Sequence, residues 1–340
     1  MRRSTCTAAA TALVLSLSGA AYTATAQPAE APSASDSAKP RTAAKPHIAR
    51  IEKLTPTRTA LFIESVAMKQ TVQVQVLHPE GSAPRPSLYL LDGVGAGEES
   101  DYSESTWTLK TDAVDFFADK DVNVVMPVGG TAGYYTDWLR PDPKLGHYQW
   151  ETFLTEELPQ IVDDDFHGNG TNAVAGVSMG AMGAANLATR HPSLYVGLTS
   201  FSGCLDNSDP TSRDSVRGTV AYKGGDPANM WGVDGDPAWN AHNPTVNAEA
   251  LRGKQVYIST GNGAPGPYEA ASGGDVLSTV AVGGPLEAAA NVCTKLFQSR
   301  LDELRIPATV VYHPYGTHSW PYWQDEMHRA WPEIAAALKV

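Results

Sequence analysis

The chain has 340 residues, 42% of them hydrophobic and 18% charged, which is a globular composition long enough to bury one large core. Its formal net charge is −12 and no basic patch is interleaved with aromatics, so nucleic-acid binding is set aside. The three cysteines, Cys6, Cys204 and Cys293, lack the spacing of a metal site.

Taken in chain order, the N-terminus reads as a secretory signal peptide. Arg2 and Arg3 form a basic region, Thr11 to Ala21 a short apolar stretch, and Ala24-Thr25-Ala26 an A-x-A cleavage site. The stretch is too short to span a bilayer, and no later segment is long and uncharged enough to do so. Cleavage near Ala26 (residues 1–26 removed) implies a secreted or cell-envelope protein. Two of the 25 basic residues leave with the peptide, so 23 remain against 37 acidic ones. Residues 27–46, rich in Ala, Pro, Ser and Lys, read as a flexible leader.

From about His47 short β-type runs alternate with helical stretches. Ala60 to Val66 and Gln70 to Leu77 read as an antiparallel start to a sheet, the second alternating through Val72, Val74 and Val76. Ser87 to Leu91, Val122 to Met126, Ala173 to Ala175, Val196 to Phe201, Gln255 to Thr260 and Ala308 to Tyr312 are apolar without alternation, as parallel strands covered on both faces are. Helices are expected at Asp112 to Asp119, Glu151 to Asp163, Met179 to Arg190, Pro285 to Leu304 and Tyr322 to Leu338. This order predicts an α/β fold with a mostly parallel central sheet and helices on both faces. Asp206 to Glu249, rich in Gly, Asp, Trp and Pro, reads as an ordered excursion, and residues 47–340 as one catalytic domain.

Gly176-Val177-Ser178-Met179-Gly180 matches G-x-S-x-G. The pattern alone is weak, but here it follows an apolar strand and opens a helix of small residues, the setting of a nucleophile elbow in an α/β-hydrolase fold. Ser178 is therefore the candidate nucleophile, and an ordinary Ser-capped turn is the bland alternative. A serine hydroxyl needs a base. His318 lies in a polar loop after the last expected strand, where the fold delivers its histidine. His313 sits at a strand end and reads as structural. The acid should follow the strand Gln255 to Thr260, and Glu269, Asp275 and Glu287 all qualify. Two backbone N–H groups are needed to hold a developing oxyanion, and Met179 and Val94 occupy the right places. Asp92 is either a ligand contact or a turn cap.

The longer strings are more specific. Tyr89 to Gly93 (YLLDG), Val124 to Gly130 (VVMPVGG), Tyr135 to Trp138 (YTDW), Trp150 to Pro159 (WETFLTEELP), Asp236 to Pro244 (DPAWNAHNP) and Gly316 to Trp323 (GTHSWPYW) resemble the antigen 85 and corynebacterial-type mycolyltransferases, a group of esterase D-like α/β-hydrolases. The resemblance runs from about Leu54 to the C-terminus. It implies a Ser-Glu-His triad with the Glu in a Leu-Glu pair, which selects Glu287 after Leu286. It also implies Met179 and Val94 as the oxyanion pair, and Asp92 and Trp320 near an acyl-acceptor site. The implied activity moves mycolic acid from trehalose monomycolate to another trehalose mycolate, arabinogalactan or another envelope hydroxyl, without cofactor or metal. A carboxylesterase using water and a non-catalytic surface binder are the competing expectations. Three departures stand out: Gly95 replaces the family Arg, Gly180 replaces a small side chain, and Ile258, Ser259 and Thr260 replace a stretch containing cysteine. In an exported chain Cys204 and Cys293 are expected to pair, anchoring the helix of Glu287 to the sheet.

Overall fold

The computed structural model describes residues 44–271 and 279–340. The expected signal peptide, most of the leader and Asp275 lie outside the described residues.

Nine strands are described: β1 (His47–Thr55), β2 (Arg58–Ser65), β3 (Gln70–Leu77), β4 (Arg85–Leu91), β5 (Asn123–Val128), β6 (Gly168–Val177), β7 (Tyr195–Phe201), β8 (Gln255–Thr260) and β9 (Thr309–Tyr312). They form one sheet in the order β1-β2-β3-β5-β4-β6-β7-β8-β9. The pairs from β1 across to β5 by way of β3 are antiparallel, and those from β5 to β9 are parallel. The alternation of β3 fits its place in the antiparallel part. Every residue of β4 and β5 is buried, as expected of strands covered on both faces. Strand β1 was not among the expected strands. It lies at the sheet edge, seven of its nine residues contiguous and exposed from Ala49 to Thr55, so no buried stripe marks it.

One core lies on each face. Helices α4 (Met179–Arg190) and α9 (Gly284–Leu304) cover one, through Met182, Leu187, Phe297 and Leu301. Helices α1 (Thr106–Lys110), α2 (Ala113–Phe117) and α10 (Trp320–Leu338) cover the other, through Trp107, Phe117, Trp323, Met327 and Ile334. Each such side chain contributes roughly 1.5–3 kcal/mol by leaving water. Residues 150–165 are helical, with a π-helical turn at Phe153–Glu157 ahead of α3 (Leu158–Asp165). The excursion holds α5 (Pro210–Tyr222), α6 (Pro227–Trp231) and α7 (Pro237–Ala241). Each opens on an Asp whose carboxylate accepts N–H groups of the first turn, with Pro just inside. A short helix, α8 (Pro267–Ala271), follows β8.

The strand register positions the site. Leu91 pairs with Gly176, Val177 with Phe201, Phe201 with Ser259, and Thr260 with Tyr312. The loops leaving the carboxyl ends of β4, β6, β7, β8 and β9 therefore emerge side by side, where open α/β sheets bind ligands.

Candidate active site

The chain turns sharply at Ser178, which stands between β6 and α4 at φ 55°, ψ −119°. Few non-glycine residues adopt such a conformation, so the surroundings must hold it there. The Ser178 N–H donates to the Phe201 carbonyl (2.8 Å), and its own carbonyl accepts from Ala181 N–H (3.1 Å). The flanking glycines make room. A Cβ at Gly176 would stand 2.2 Å from the Gly180 carbonyl oxygen, and one at Gly180 would stand 2.2 Å from that of Asp92. The close approach of the β4 loop thus leaves no room for a side chain at Gly180.

From Ser178 a line of hydrogen bonds leads inward. Its Oγ is 2.8 Å from His318 Nε2, and His318 Nδ1 is 2.7 Å from Glu287 Oε2. Glu287 is 2% exposed, and its Oε1 accepts from Ser202 Oγ (2.8 Å), Gly261 N–H (2.6 Å) and Thr260 Oγ1 (3.1 Å). These three donors converge on Oε1, which fixes the carboxyl group in place and leaves Oε2 for the imidazole. Glu287 orients the imidazole so that the unprotonated nitrogen faces the serine. Trp323 closes the inner side: its Nε1–H donates to Ser202 Oγ (2.9 Å) and its ring stands edge-on to His318. The arrangement can take a proton from Ser178 as its oxygen attacks an acyl carbon, and return it to a leaving group.

Sequence reasoning left Glu269, Asp275 and Glu287 open from topology. Glu287 is the carboxylate that reaches His318. Glu269 has a different task. It accepts from Thr317 Oγ1 (2.5 Å), from Gly266 N–H (2.8 Å) and from the Tyr322 hydroxyl, and so tethers the loop that carries His318. Burial would push its pKa up, but these donors hold it below the usual carboxylate range. His313 pairs with Glu326 (2.6 Å).

Met179 is the first residue of α4, so its N–H has no acceptor within the helix. Its sulfur accepts from Tyr134 N–H (3.4 Å). Val94 lies in the adjoining loop, its carbonyl held by Ala132 N–H (2.9 Å). Gly93 comes so close that a Cβ there would be 3.8 Å from Ser178 Cβ.

Of the two roles expected for Asp92, the contacts of the structure are those of a turn cap. The side chain is completely buried, and its carboxylate accepts from Ser105 Oγ (2.8 Å), Thr106 N–H (2.9 Å) and Trp107 N–H (3.3 Å). It caps the first turn of α1. Burial raises its pKa to about 6, against the smaller opposing effect of those donors. Trp320 is half-buried, edge-on to Trp107 (5.2 Å) and to Trp323 (5.1 Å). Asp92 thus reaches Trp320 only through α1.

Cys204 and Cys293 are joined, with sulfurs 2.07 Å apart, which ties the segment after β7 to α9. The sequence missed Ser202, Thr260 and Trp323 as supports of the acid. Ser202 has φ 52°, a constrained residue directly after a strand, but no motif marks it.

This fold and site define an α/β-hydrolase-fold acyltransferase or esterase. A family model described as "Putative esterase" matches residues 65–334. The diacylglycerol acyltransferase/mycolyltransferase Ag85A of Mycobacterium leprae is 34% identical over 286 residues, covering 82% of each chain. Its counterpart from Mycobacterium tuberculosis is 35% identical over 289 residues, covering 82% of this chain and 80% of the relative. The chain belongs to the esterase family and, within it, to the antigen 85 mycolyltransferases. Among solved structures, Mycobacterium tuberculosis MPT51 superposes with a TM-score of 0.68 at 26% identity, over 82% of this chain and 97% of that one. An S-formylglutathione hydrolase from Agrobacterium tumefaciens shares the fold, with a TM-score of 0.60 at 17% identity over 86% and 99% of the two chains.

Proposed function

We propose that this protein is a secreted mycolyltransferase working through an acyl-enzyme on Ser178. The observation that carries the reading is the continuous line from Ser178 Oγ through His318 to buried Glu287, 2.8 and 2.7 Å long at its two hydrogen bonds. Ser178 Oγ attacks the ester carbonyl of a trehalose monomycolate while His318 Nε2 takes its proton. The N–H groups of Met179 and Val94 receive the negative charge on the carbonyl oxygen. The ester C–O bond then breaks, trehalose leaves with the proton from His318, and the mycolyl group stays on Ser178. A sugar hydroxyl of trehalose mycolate, arabinogalactan or another envelope acceptor gives its proton to His318 and attacks. The new ester forms and Ser178 is restored.

The steps above draw on the Ser178 hydroxyl, the His318 imidazole, the Glu287 carboxylate and backbone N–H groups. Export is supported by the signal-type N-terminus and by the disulfide between Cys204 and Cys293. Among the described residues no helix is long and apolar enough to cross a membrane.

A carboxylesterase reading has one observation in its favour. At Gly95, where the family this chain resembles carries Arg, there is no side chain, and a Cβ there would meet Glu98 Cβ at 3.9 Å, an ordinary contact. No guanidinium stands ready to hold an acceptor sugar there, and water gains ground. Mass spectrometry of protein quenched during turnover tests the common step. An acyl adduct on the Ser178 peptide, missing from Ser178→Ala, is expected. The same adduct on the variant, or none on either, would end both readings.

A further inference from the structure

The first three turns of α9 have their polarity reversed. Over residues 284–294 the inward face carries Glu287, Asn291, Cys293 and Thr294 and the outward face carries apolar side chains, whereas further on Phe297 and Leu301 face the core and Lys295, Ser299, Asp302 and Glu303 are exposed. Val282, in the π-helical turn before it (Thr279–Gly283), is 61% exposed, and Leu286, Val292 and Leu296 are 50%, 58% and 46% exposed. With exposed Ala289 between them, these positions follow one another at intervals of three or four residues and make a single stripe. A helix that faces water ordinarily shows the opposite arrangement. Between Asp275 and Lys295 the only charged residue is Glu287, which is buried. Lys295, beside the stripe, holds its ammonium 5.7 Å from the Tyr312 ring.

The stripe begins at the site. The Gly283 carbonyl accepts from His318 N–H (3.1 Å), and Glu287 lies one turn further on. The N-terminal end of the stripe therefore lies next to the loop that carries His318.

We propose that this stripe docks the protein on a neutral lipid surface, so that a lipid ester enters the site from that surface. The inference rests on the acyl-transfer reading and names where that reaction meets its substrate. Two observations choose the occupant. A protein interface carries roughly one hydrogen bond per 100–200 Å², whereas the outward residues Pro285, Leu286, Ala288, Ala289 and Val292 have no polar side chain to offer. The chain's charge of −12 opposes an anionic surface. Attraction therefore comes from apolar area alone and is insensitive to salt.

The test is sedimentation of the full chain with phosphatidylcholine vesicles at about 50 and about 500 mM NaCl, salt levels that differ severalfold in screening length. Wild type is expected to sediment equally at both. The V292S/L296S double variant and the single L296E variant should each lower the bound fraction about tenfold, from lost apolar contact. Both should hydrolyse soluble p-nitrophenyl butyrate as wild type does, which shows the fold and site intact. Equal vesicle binding by the variants, no binding by wild type, or binding confined to anionic vesicles and lost in high salt would overturn the proposal. So would a wild-type dimer that dissociates in both variants, since the stripe would then join two copies. Ser178→Ala should bind vesicles like wild type. If vesicles bind but no ester is turned over by wild type, acyl transfer falls and the docking face stands. Turnover without vesicle binding removes the docking face alone.

Discussion

At the residue scale the account depends on Glu287 holding one tautomer of His318. Glu287→Gln keeps the shape but places an amide where a carboxylate orients the imidazole. It should lower kcat by about 10³–10⁴-fold with KM little changed. Steady-state kinetics on a p-nitrophenyl ester measure this, and a loss under tenfold would remove Glu287 from the mechanism. Asp92 gives a pH signature of the opposite kind. Its folded pKa is raised to about 6 from an ordinary value of 3.8, so the folded protein binds this proton more tightly than the unfolded chain. Stability from this group is present below about pH 4 and falls as pH rises towards 6. Asp92→Asn lacks that fall. The stability difference between Asp92→Asn and wild type should therefore shift in the variant's favour by about 2 kcal/mol from pH 4.5 to pH 7. Urea midpoints at the two pH values give the shift, and no shift would mean that Asp92 titrates normally.

At the scale of elements, the turn between β6 and α4 and the loop after β4 fit against each other without spare room. Gly180→Ala would bring a methyl group within 2.2 Å of the Asp92 carbonyl oxygen. It should destabilise the fold by at least about 2 kcal/mol, and with it the elbow. Gly95→Ala, one loop residue from Val94, would meet Glu98 only at an ordinary contact distance of 3.9 Å and should stay within about 0.5 kcal/mol of wild type. Thermal melts compare the two, and equal behaviour would show that the close approach is not limiting. The Cys204–Cys293 bond spans 89 residues of sequence, so its reduction should lower stability by about 3–5 kcal/mol. A denaturation midpoint unmoved by reductant would show that the bond does not hold α9. The parallel strands and α4 were legible because both faces of the sheet are covered and leave unbroken apolar runs, and because the elbow carries a motif. Glu287 was legible only through resemblance. Topology leaves several acids after β8, and what separates them is which one meets His318 across the fold. Strand β1 and the supports Ser202 and Thr260 were not legible at all. The first has no buried face, and the others act through contacts between strand ends that no local pattern records.

At the scale of the whole molecule, the sheet gathers loops from five strand ends around Ser178, and the excursion is pinned to this scaffold at several places. Lys223 pairs with Glu98 in the loop after β4, and Leu139 and Arg140 N–H groups donate to the Met230 and Asn229 carbonyls. Buried Glu151 binds Arg190 and His191, each at 2.7 Å, while Arg190 also donates to the Ala241 carbonyl (3.0 Å). Chemistry through Ser178 with an acceptor other than water is the central claim. The direct measurement gives purified protein and Ser178→Ala the same trehalose monomycolate and quantifies trehalose dimycolate, free trehalose and free mycolic acid. The account predicts dimycolate and trehalose in equal amounts from wild type, little free acid, and none of the three from the variant. Free mycolic acid without dimycolate would contradict transfer and leave a hydrolase, and dimycolate from Ser178→Ala would contradict the mechanism itself.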